Sequence, residues 1–242
     1  MRYLLQSFVD WLRPTEAKHE PSIDNERQDL VDEADHPDAF LNLCKGIVHV
    51  GANSGQERDT YASYGLKVVW IEPIPEVFAE LEANLEGYKD QVAIQALLTD
   101  QEGQRCTLHV SNIDGQASSI LDLNQCLDIW PTVDYVRDIE IVSSTLPIAL
   151  SGANIDHLSY DALILDTQGT ELQVLKGARE ILSCFKYIKT EAADFEAYTG
   201  CALVSQLDDF LGQEGFRRTR ADKFAERELG GAYFDLLYER II

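Results

Sequence analysis

The stretch IVHVGANSGQ, residues 47–56, decides the fold. An apolar, β-branched run typical of a buried strand leads directly into a turn with two glycines, and a helical pattern follows. Gly51 and Gly55 allow the backbone to come close to a ligand, and the start of the helix presents free N–H groups. The spacing G-x-x-x-G differs from the G-x-G-x-x-G turn that seats a pyrophosphate. The stretch therefore predicts a strand–turn–helix unit that binds a nucleoside without a pyrophosphate, although a plain tight connection would have the same pattern.

A carboxylate follows this turn at an informative distance. Glu72 ends the next predicted strand, in KVVWIEPIP at residues 67–75, and lies 21 positions after Gly51. In doubly wound folds, an acidic residue about 20 positions beyond the glycine turn accepts hydrogen bonds from ribose hydroxyls. Glu72 is therefore predicted to bind a ribose; the alternative is a solvated carboxylate at a strand end.

Around these two motifs, predicted strands and helices alternate along the chain. This alternation predicts a doubly wound, Rossmann-like α/β domain over residues 45–242. We expect a mostly parallel seven-stranded sheet with an antiparallel strand at one edge, because the last two strands follow each other closely. The predicted strands are IVHV, KVVWIE, VAIQAL, ALILD, YIKTE, FRRTRA and AYFDLLYE, and the main predicted helices span 56–64, 75–85, 171–182 and 203–213.

Two regions depart from the alternation. Residues 1–44 combine an apolar-periodic start with an acidic stretch, which predicts an N-terminal helix followed by a tether. That helix could pack against its own domain or a twin subunit, lie at a membrane surface, or dock a partner. Residues 101–145 have an irregular texture between two strands and predict an insertion beside the sheet, a common position for substrate loops.

Charge and composition limit the possible partners. The chain has 42 acidic and 20 basic side chains and a formal charge of −22, which repels the phosphate backbone of nucleic acids. No apolar run is long enough to span a membrane, and the start of the chain is a poor signal peptide, so a cytoplasmic protein is expected. The five cysteines include no C-x-x-C pair, which predicts reduced thiols rather than disulfides or a zinc site.

A third motif, LILDTQGTELQVLKGAREIL at residues 163–182, again joins an apolar strand to a helix through a glycine. Asp166 ends the strand and should lie at the carboxyl edge of the sheet, where ligands bind in this architecture. The alternative is that Asp166 caps the following helix.

Together these motifs resemble the FkbM-type methyltransferases, class I enzymes that use S-adenosylmethionine and mostly methylate hydroxyl groups of sugars and natural products. The resemblance covers roughly residues 46–240. It rests on HVGANSGQ, IEPIP, QASSI, ILDTQGTELQVLKGA, KTEA, LDDFLGQEGFR and FDLLYER. The resemblance implies that S-adenosylmethionine is held by Gly51, Ala52, Asn53, Ser54, Gly55, Glu72, Pro73, Ser118, Ser119 and Asp166.

The implied reaction moves a methyl group to a hydroxyl of a small-molecule or carbohydrate acceptor. It needs close alignment of donor and acceptor and a base for the acceptor's proton. The candidates, in order, are Asp166, Glu191 and His49. Glu191 could instead be a solvated or capping carboxylate, and His49 a core imidazole. The sequence contains no compact cluster of metal-ligating residues, so no metal site is predicted.

The chain departs from the family pattern at three positions. His49 replaces an acidic residue, Ile164 a common lysine and Gln168 a common glutamate. These departures keep open a catalytically silent nucleoside-binding module, and a nicotinamide-dependent enzyme would use a similar sheet. A homo-oligomer formed through the N-terminal helix is a further expectation.

Overall fold

The structure, a computed structural model, describes residues 36–241 of the chain. The chain divides into two compact units, Met1–Leu43 and Cys44–Ile242. In the first unit, the described part holds a short 3-10 helix, Ala39–Leu43. The predicted N-terminal helix, almost all of the acidic tether and the expected oligomer contact lie outside the described residues.

The described part of the second unit contains ten strands: β1 Gly46–Val50, β2 Lys67–Glu72, β3 Gln91–Gln95, β4 Leu97–Leu98, β5 Arg105–Ser111, β6 Tyr135–Ser144, β7 Ala162–Leu165, β8 Tyr187–Ala193, β9 Phe216–Glu226 and β10 Ala232–Arg240. Seven of them form the main sheet, in the order β3-β2-β1-β7-β8-β10-β9. Five neighbouring strands, from β3 to β8 in this order, are parallel, and β10 runs antiparallel to β8 and β9. The prediction of a doubly wound α/β fold is confirmed.

The antiparallel strand lies one place in from the edge of the sheet. The hairpin of β9 and β10 does form the predicted closing pair, but β10 pairs with β8 through Asp235 and Glu191. This pairing places β9 at the edge. The last strand of the chain therefore contributes side chains directly beside β8.

Helices cover the sheet. Strands β1 and β7 are buried along their whole length, as strands covered on both faces must be. The third predicted helix is shorter than expected: it ends at Gly177, and the chain continues through turns and a 3-10 helix, Leu182–Cys184. The α-helices within residues 36–241 are α1 Arg58–Ser63, α2 Pro75–Asn84, α3 Leu146–Gly152, which was not predicted, α4 Glu171–Gly177 and α5 Val204–Gln213.

The mid-chain insertion forms a second, three-stranded sheet with the order β4-β6-β5. Strands β5 and β6 are the two strands expected there. Between them, the backbone N–H groups of Asn124 and Cys126 donate to the carbonyl oxygen of Ala197, at 3.1 and 3.0 Å. The insertion is thereby joined to the segment that follows β8, at the carboxyl edge of the main sheet.

No helix within residues 36–241 has the length and apolar character that crossing a membrane requires.

Two helical glycines predict opposite stability effects of the same substitution. A Cβ on Gly177, at the end of α4, would overlap the carbonyl oxygen of Thr99, whereas a Cβ on Gly212 in α5 meets nothing within 4 Å. We expect Gly177→Ala to lower the free energy of unfolding by about 1–3 kcal/mol, the usual cost of overpacking. Gly212→Ala should raise it by up to about 1 kcal/mol, because alanine favours the helix. Urea denaturation measures both, and a stabilised Gly177→Ala protein would contradict the close packing of α4.

Candidate active site

The carboxyl end of β1 is held against the end of β7. The N–H of Asp166 donates to the carbonyl of Val50 at 2.9 Å. Gly51 has a φ of +80°, and a Cβ there would overlap the carbonyl oxygen of Asp166. Only glycine fits this position. Its close contact brings the turn that is predicted to bind a nucleoside beside Asp166, the predicted catalytic residue at the end of β7.

Glu72 organises the same turn from β2. Its Oε2 accepts a hydrogen bond from the N–H of Asn53 and its Oε1 one from the N–H of Ile74, both at 2.9 Å. The intervening Pro73 is half-buried. Because each carboxylate oxygen has two lone pairs, both oxygens of Glu72 keep the capacity to accept a ribose hydroxyl. The geometry thus fits the predicted nucleoside site.

Burial makes Glu72 easy to protonate in the free protein. Its side chain is 4% exposed, and desolvation raises its pKa to about 7, against the lowering effect of the two backbone hydrogen bonds. The negative charge of Asp166 adds to the increase. A ligand that carries positive charge into this region would favour the ionised form.

Asn53 shapes the rest of the turn. Its φ is +45°, and its Oδ1 accepts from the N–H of Ser54 at 2.8 Å and from Nε2 of Gln56 at 2.9 Å. Its Nδ2 donates to the carbonyl of Asp114 in the insertion at 3.0 Å. The remaining predicted turn residues, Ala52 and Gly55, are buried. The insertion therefore lies directly over the glycine turn.

Ser118 and Ser119 hold the insertion in place. Oγ of Ser118 accepts from the N–H of Ser111 at 3.0 Å. The buried Oγ of Ser119 donates to the carbonyl of Gln168 at 2.8 Å and accepts from the N–H of Leu121. Their hydroxyls thus have partners within the protein, and direct contact with a cofactor stays a prediction.

Gln168, one of the departures from the family pattern, connects Asp166 to Tyr198 through its side-chain amide. It has a φ of +52°, its Nε2 donates to Oδ1 of Asp166, and its Oε1 accepts from the hydroxyl of Tyr198 at 2.7 Å. The neutral amide can donate to one group and accept from another at once, which a carboxylate cannot do. Asp166 is therefore held at the sheet edge by a chain of side chains.

Glu171, at the start of α4, is a buried carboxylate that sequence reasoning missed. Its Oε1 accepts from the N–H of Thr167 at 3.0 Å, from the Thr167 hydroxyl at 3.2 Å and from the N–H of Gly169 at 3.1 Å. Burial raises the pKa of Glu171 to about 7 despite these hydrogen bonds. Its place in the motif ILDTQGTELQ was a signal, but its burial could not be read from the sequence.

A small pocket opens beside this chain, between the loop after β7, the end of β8 and the start of β10. Glu191 is half-buried in its wall, and no described residue donates a hydrogen bond to its carboxylate. Burial, with the negative charge of Asp166, raises the pKa of Glu191 well above its usual value. The lining residues are Gln168, Gly169, Glu171, Glu191, Ala192, Ala193, Ala197, Tyr198, Cys201, Ala202 and Tyr233.

His49 lies in the core of the sheet. Its ring stacks on Trp70 with the centroids 5.1 Å apart, and Nδ1 is 3.2 Å from the hydroxyl of Tyr61. Burial lowers its pKa to about 4, so the imidazole is neutral near pH 7. This packing supports the core alternative, and a catalytic role for His49 stays a prediction.

Carboxylates dominate the electrostatics of the site. Asp166 raises the pKa of Glu72, Glu171 and Glu191 alike, and none of the residues that line the pocket is a lysine or arginine. Within residues 36–241, no three His, Cys, Asp or Glu side chains are grouped so that they could hold a metal ion. The arrangement suits a ligand that brings its own positive charge.

Known proteins share parts of this sequence. Residues 49–218 match the family profile described as the methyltransferase FkbM domain. The 2-O-methyltransferase NoeI of Sinorhizobium fredii is 27% identical over 173 residues, which cover 68% of this chain and 70% of that protein.

Solved structures include similar chains at low identity. Magnesium protoporphyrin IX methyltransferase of Synechocystis, with bound S-adenosylmethionine, is 12% identical with a TM-score of 0.47, over 98% of this chain and 96% of that one. TrmK of M. capricolum, in complex with S-adenosylhomocysteine, is 7% identical with a TM-score of 0.47, over 81% of this chain and 62% of that one.

The raised pKa values predict how the stability of the ligand-free protein depends on pH. Glu72 and Glu171 titrate near 7 in the folded state, above the ordinary value of about 4.3. An acid with a raised folded pKa stabilises the protein below its unfolded pKa, and this contribution is lost as the pH rises through the folded value. The melting temperature should therefore fall from about pH 5 to about pH 8, and Glu72→Gln and Glu171→Gln should each reduce that fall.

The matched control is Glu76→Gln. Arg137 holds the pKa of the exposed Glu76 carboxyl at about 2, so it does not titrate in this window. Equal pH slopes for the wild type and both buried-site variants would contradict the assignment.

Proposed function

Because the chain belongs to the FkbM methyltransferase family, whose members use S-adenosylmethionine, we propose that it methylates a hydroxyl group of a sugar, glycoconjugate or natural product. The observation that carries the proposal is the Glu191 carboxylate, which lines a pocket at the cofactor edge and accepts no hydrogen bond from a described residue. The relative NoeI, a 2-O-methyltransferase, supports oxygen as the methyl acceptor.

The cofactor would be held by the turn at Gly51 and by Glu72. The turn offers a surface without a Cβ at Gly51, and Glu72 offers lone pairs to the ribose hydroxyls. Asp166, fixed by Gln168, lies beside the turn and would favour the positively charged end of the cofactor. The G-x-x-x-G spacing of the turn, which differs from the spacing that seats a pyrophosphate, favours this proposal over the nicotinamide alternative.

When bound, S-adenosylmethionine would supply a methyl group from its positively charged sulfur and would leave as the neutral thioether S-adenosylhomocysteine. The hydroxyl oxygen of the acceptor would take the methyl group and lose its proton. Glu191 would accept that proton, because its raised pKa makes it a better base than an ordinary glutamate. The pocket would hold the acceptor close to the donor, and this alignment lowers the barrier. By sequence alone, Asp166 ranks first among the candidates for the base. Its contact with Gln168 and its position beside the glycine turn instead favour a role in cofactor binding.

Glu72→Gln tests the cofactor site. Removal of the charge keeps the shape but weakens the hydrogen bonds to the ribose, so the affinity for S-adenosylmethionine should fall by about 1–3 kcal/mol in calorimetry. Glu76→Gln, which removes the same charge from the exposed start of α2, should leave the affinity unchanged. Unaltered binding by a folded Glu72→Gln protein would remove Glu72 from the site.

Glu191→Gln and Asp166→Asn separate the two carboxylates. Loss of a general base lowers kcat by about 10² to 10⁴, so Glu191→Gln should show this loss with cofactor affinity unchanged. In the wild type, kcat/KM should decline as the pH falls through the raised pKa of Glu191, since the base must be ionised. Asp166→Asn should mainly weaken cofactor binding.

Glu196→Gln is the control for this pair, since it removes an exposed carboxylate from the segment that follows β8. If Asp166→Asn reduced kcat without affecting affinity while Glu191→Gln remained active, Asp166 would be the base instead.

A further inference from the structure

The pocket wall contains a phenol that is buried without a partner. Tyr233, at the start of β10, is 5% exposed, and its hydroxyl makes no hydrogen bond with any residue in the described part of the chain. Buried polar atoms in folded proteins almost always have partners, and an unpaired one lowers stability. Tyr233 lines the same pocket as Glu191. An unpaired donor in a pocket wall indicates a bound group that supplies the missing acceptor.

The ring of Tyr233 is held by packing rather than by its hydroxyl. Its centroid lies 5.1 Å from that of Trp130 in the insertion, 5.3 Å from that of Phe195 and 5.7 Å from that of Phe224 on β9. Trp130 is thereby part of the protein's own aromatic cluster. Three segments of the chain therefore fix the direction of the hydroxyl before any ligand binds.

This hydroxyl is a donor at all ordinary pH values. Burial raises the pKa of Tyr233 above its usual value, and negative charge on groups such as Glu191 acts in the same direction. The phenol keeps its proton and can donate it in a hydrogen bond.

Sheet register places Tyr233 and Glu191 on one face. Asp235 pairs with Glu191 and Tyr233 with Ala193, so Tyr233 and Glu191 are diagonal neighbours on adjacent antiparallel strands. Such neighbours are roughly 7–8 Å apart at the Cα atoms and can contact the same small group with their side chains. The hydroxyl of Tyr233, a hydrogen-bond donor, thus belongs to the same face of the sheet as the Glu191 carboxylate, which can accept a proton.

Charge narrows the class of ligand further. Glu171 and Glu191 line the pocket, and none of its lining residues carries positive charge at neutral pH. Glu191 must be ionised to act as the proposed base, and in that form it would repel an acceptor with a carboxylate or phosphate next to its reacting hydroxyl.

We propose that Tyr233 binds the methyl acceptor, and that the pocket receives the vicinal diol of a neutral acceptor, such as two adjacent hydroxyl groups of an uncharged sugar. One hydroxyl of the diol faces Glu191, and its neighbour accepts a hydrogen bond from Tyr233. This inference rests on the proposed function, because Glu191 and the pocket are assigned there to the acceptor.

The experiment compares Tyr233→Phe with Tyr238→Phe. Both tyrosines lie on β10, but the hydroxyl of Tyr238 donates to Asp208 at 2.8 Å. Tyr233→Phe should melt at or above the wild-type temperature, because it removes an unpaired buried hydroxyl. Tyr238→Phe should melt about 2–4 °C lower, the scale for the loss of about 1 kcal/mol in a domain of this size.

Acceptor binding is measured with neutral methyl hexopyranosides and the matching methyl hexopyranosiduronate, in the presence of S-adenosylhomocysteine, by saturation-transfer NMR. The full-length wild type should bind the neutral glycosides more tightly than the uronate. Tyr233→Phe should weaken that binding about 3- to 10-fold, the effect of one lost neutral hydrogen bond, with cofactor affinity unchanged. Tyr238→Phe should bind like the wild type.

Each contrary result points to one claim. Equal glycoside binding by Tyr233→Phe and the wild type, or a Tyr233→Phe protein that melts lower, would overturn the role of Tyr233 and leave the proposed methylation intact. Tighter binding of the uronate would overturn the neutral-acceptor class. A wild type that binds and methylates none of these glycosides would overturn the sugar acceptor in both proposals.

Discussion

The site depends on one close contact, the approach of the Gly51 backbone to the carbonyl oxygen of Asp166. A side chain at residue 51 would overlap that oxygen and push β1 and β7 apart at their carboxyl ends. Because the two strands stay in register, the glycine turn and the strand end that carries Asp166 meet at one edge. Gln168 and Glu171, two of the residues that line the pocket, follow within five residues of Asp166, so their positions depend on the same contact.

The second constraint is the energetic cost of carboxylates at this edge. Glu72 and Glu171 are buried with pKa values of about 7, and Glu191 is shifted in the same direction, so their ionised forms destabilise the free protein. Residues that strain the free state often lie at functional sites, where a ligand provides the compensating interaction. Under the proposed function, a cationic methyl donor would provide it here. The overall charge of −22 acts in the same sense, since it favours the approach of a cation and repels anions.

Under the proposed function, the insertion and the segment after β8 together form the acceptor side of the site. Asn124 and Cys126 bond to Ala197, Ser119 bonds to Gln168, and Trp130 packs against Tyr233. In this proposal the parallel strands would supply the cofactor side of the site, while these irregular segments surround the pocket. Such a division lets acceptor specificity vary without a change in the sheet.

By itself, the sequence determined the doubly wound fold, its strands and most of its helices, because periodicity and glycine turns are local properties of the chain. It also predicted Gly51, Glu72, Asp166 and Glu191 as site residues, because the carboxyl ends of parallel strands meet at one edge; the strand that carries Glu191 continues to Ala193. Only the tertiary structure decided that β10 lies between β8 and β9, and hence that Tyr233 stands beside Glu191. The unpaired hydroxyl of Tyr233, the burial of Glu171 and the core position of His49 likewise depend on which distant segments pack together. Burial and pairing are properties of these long-range contacts, and no local pattern of residues encodes them.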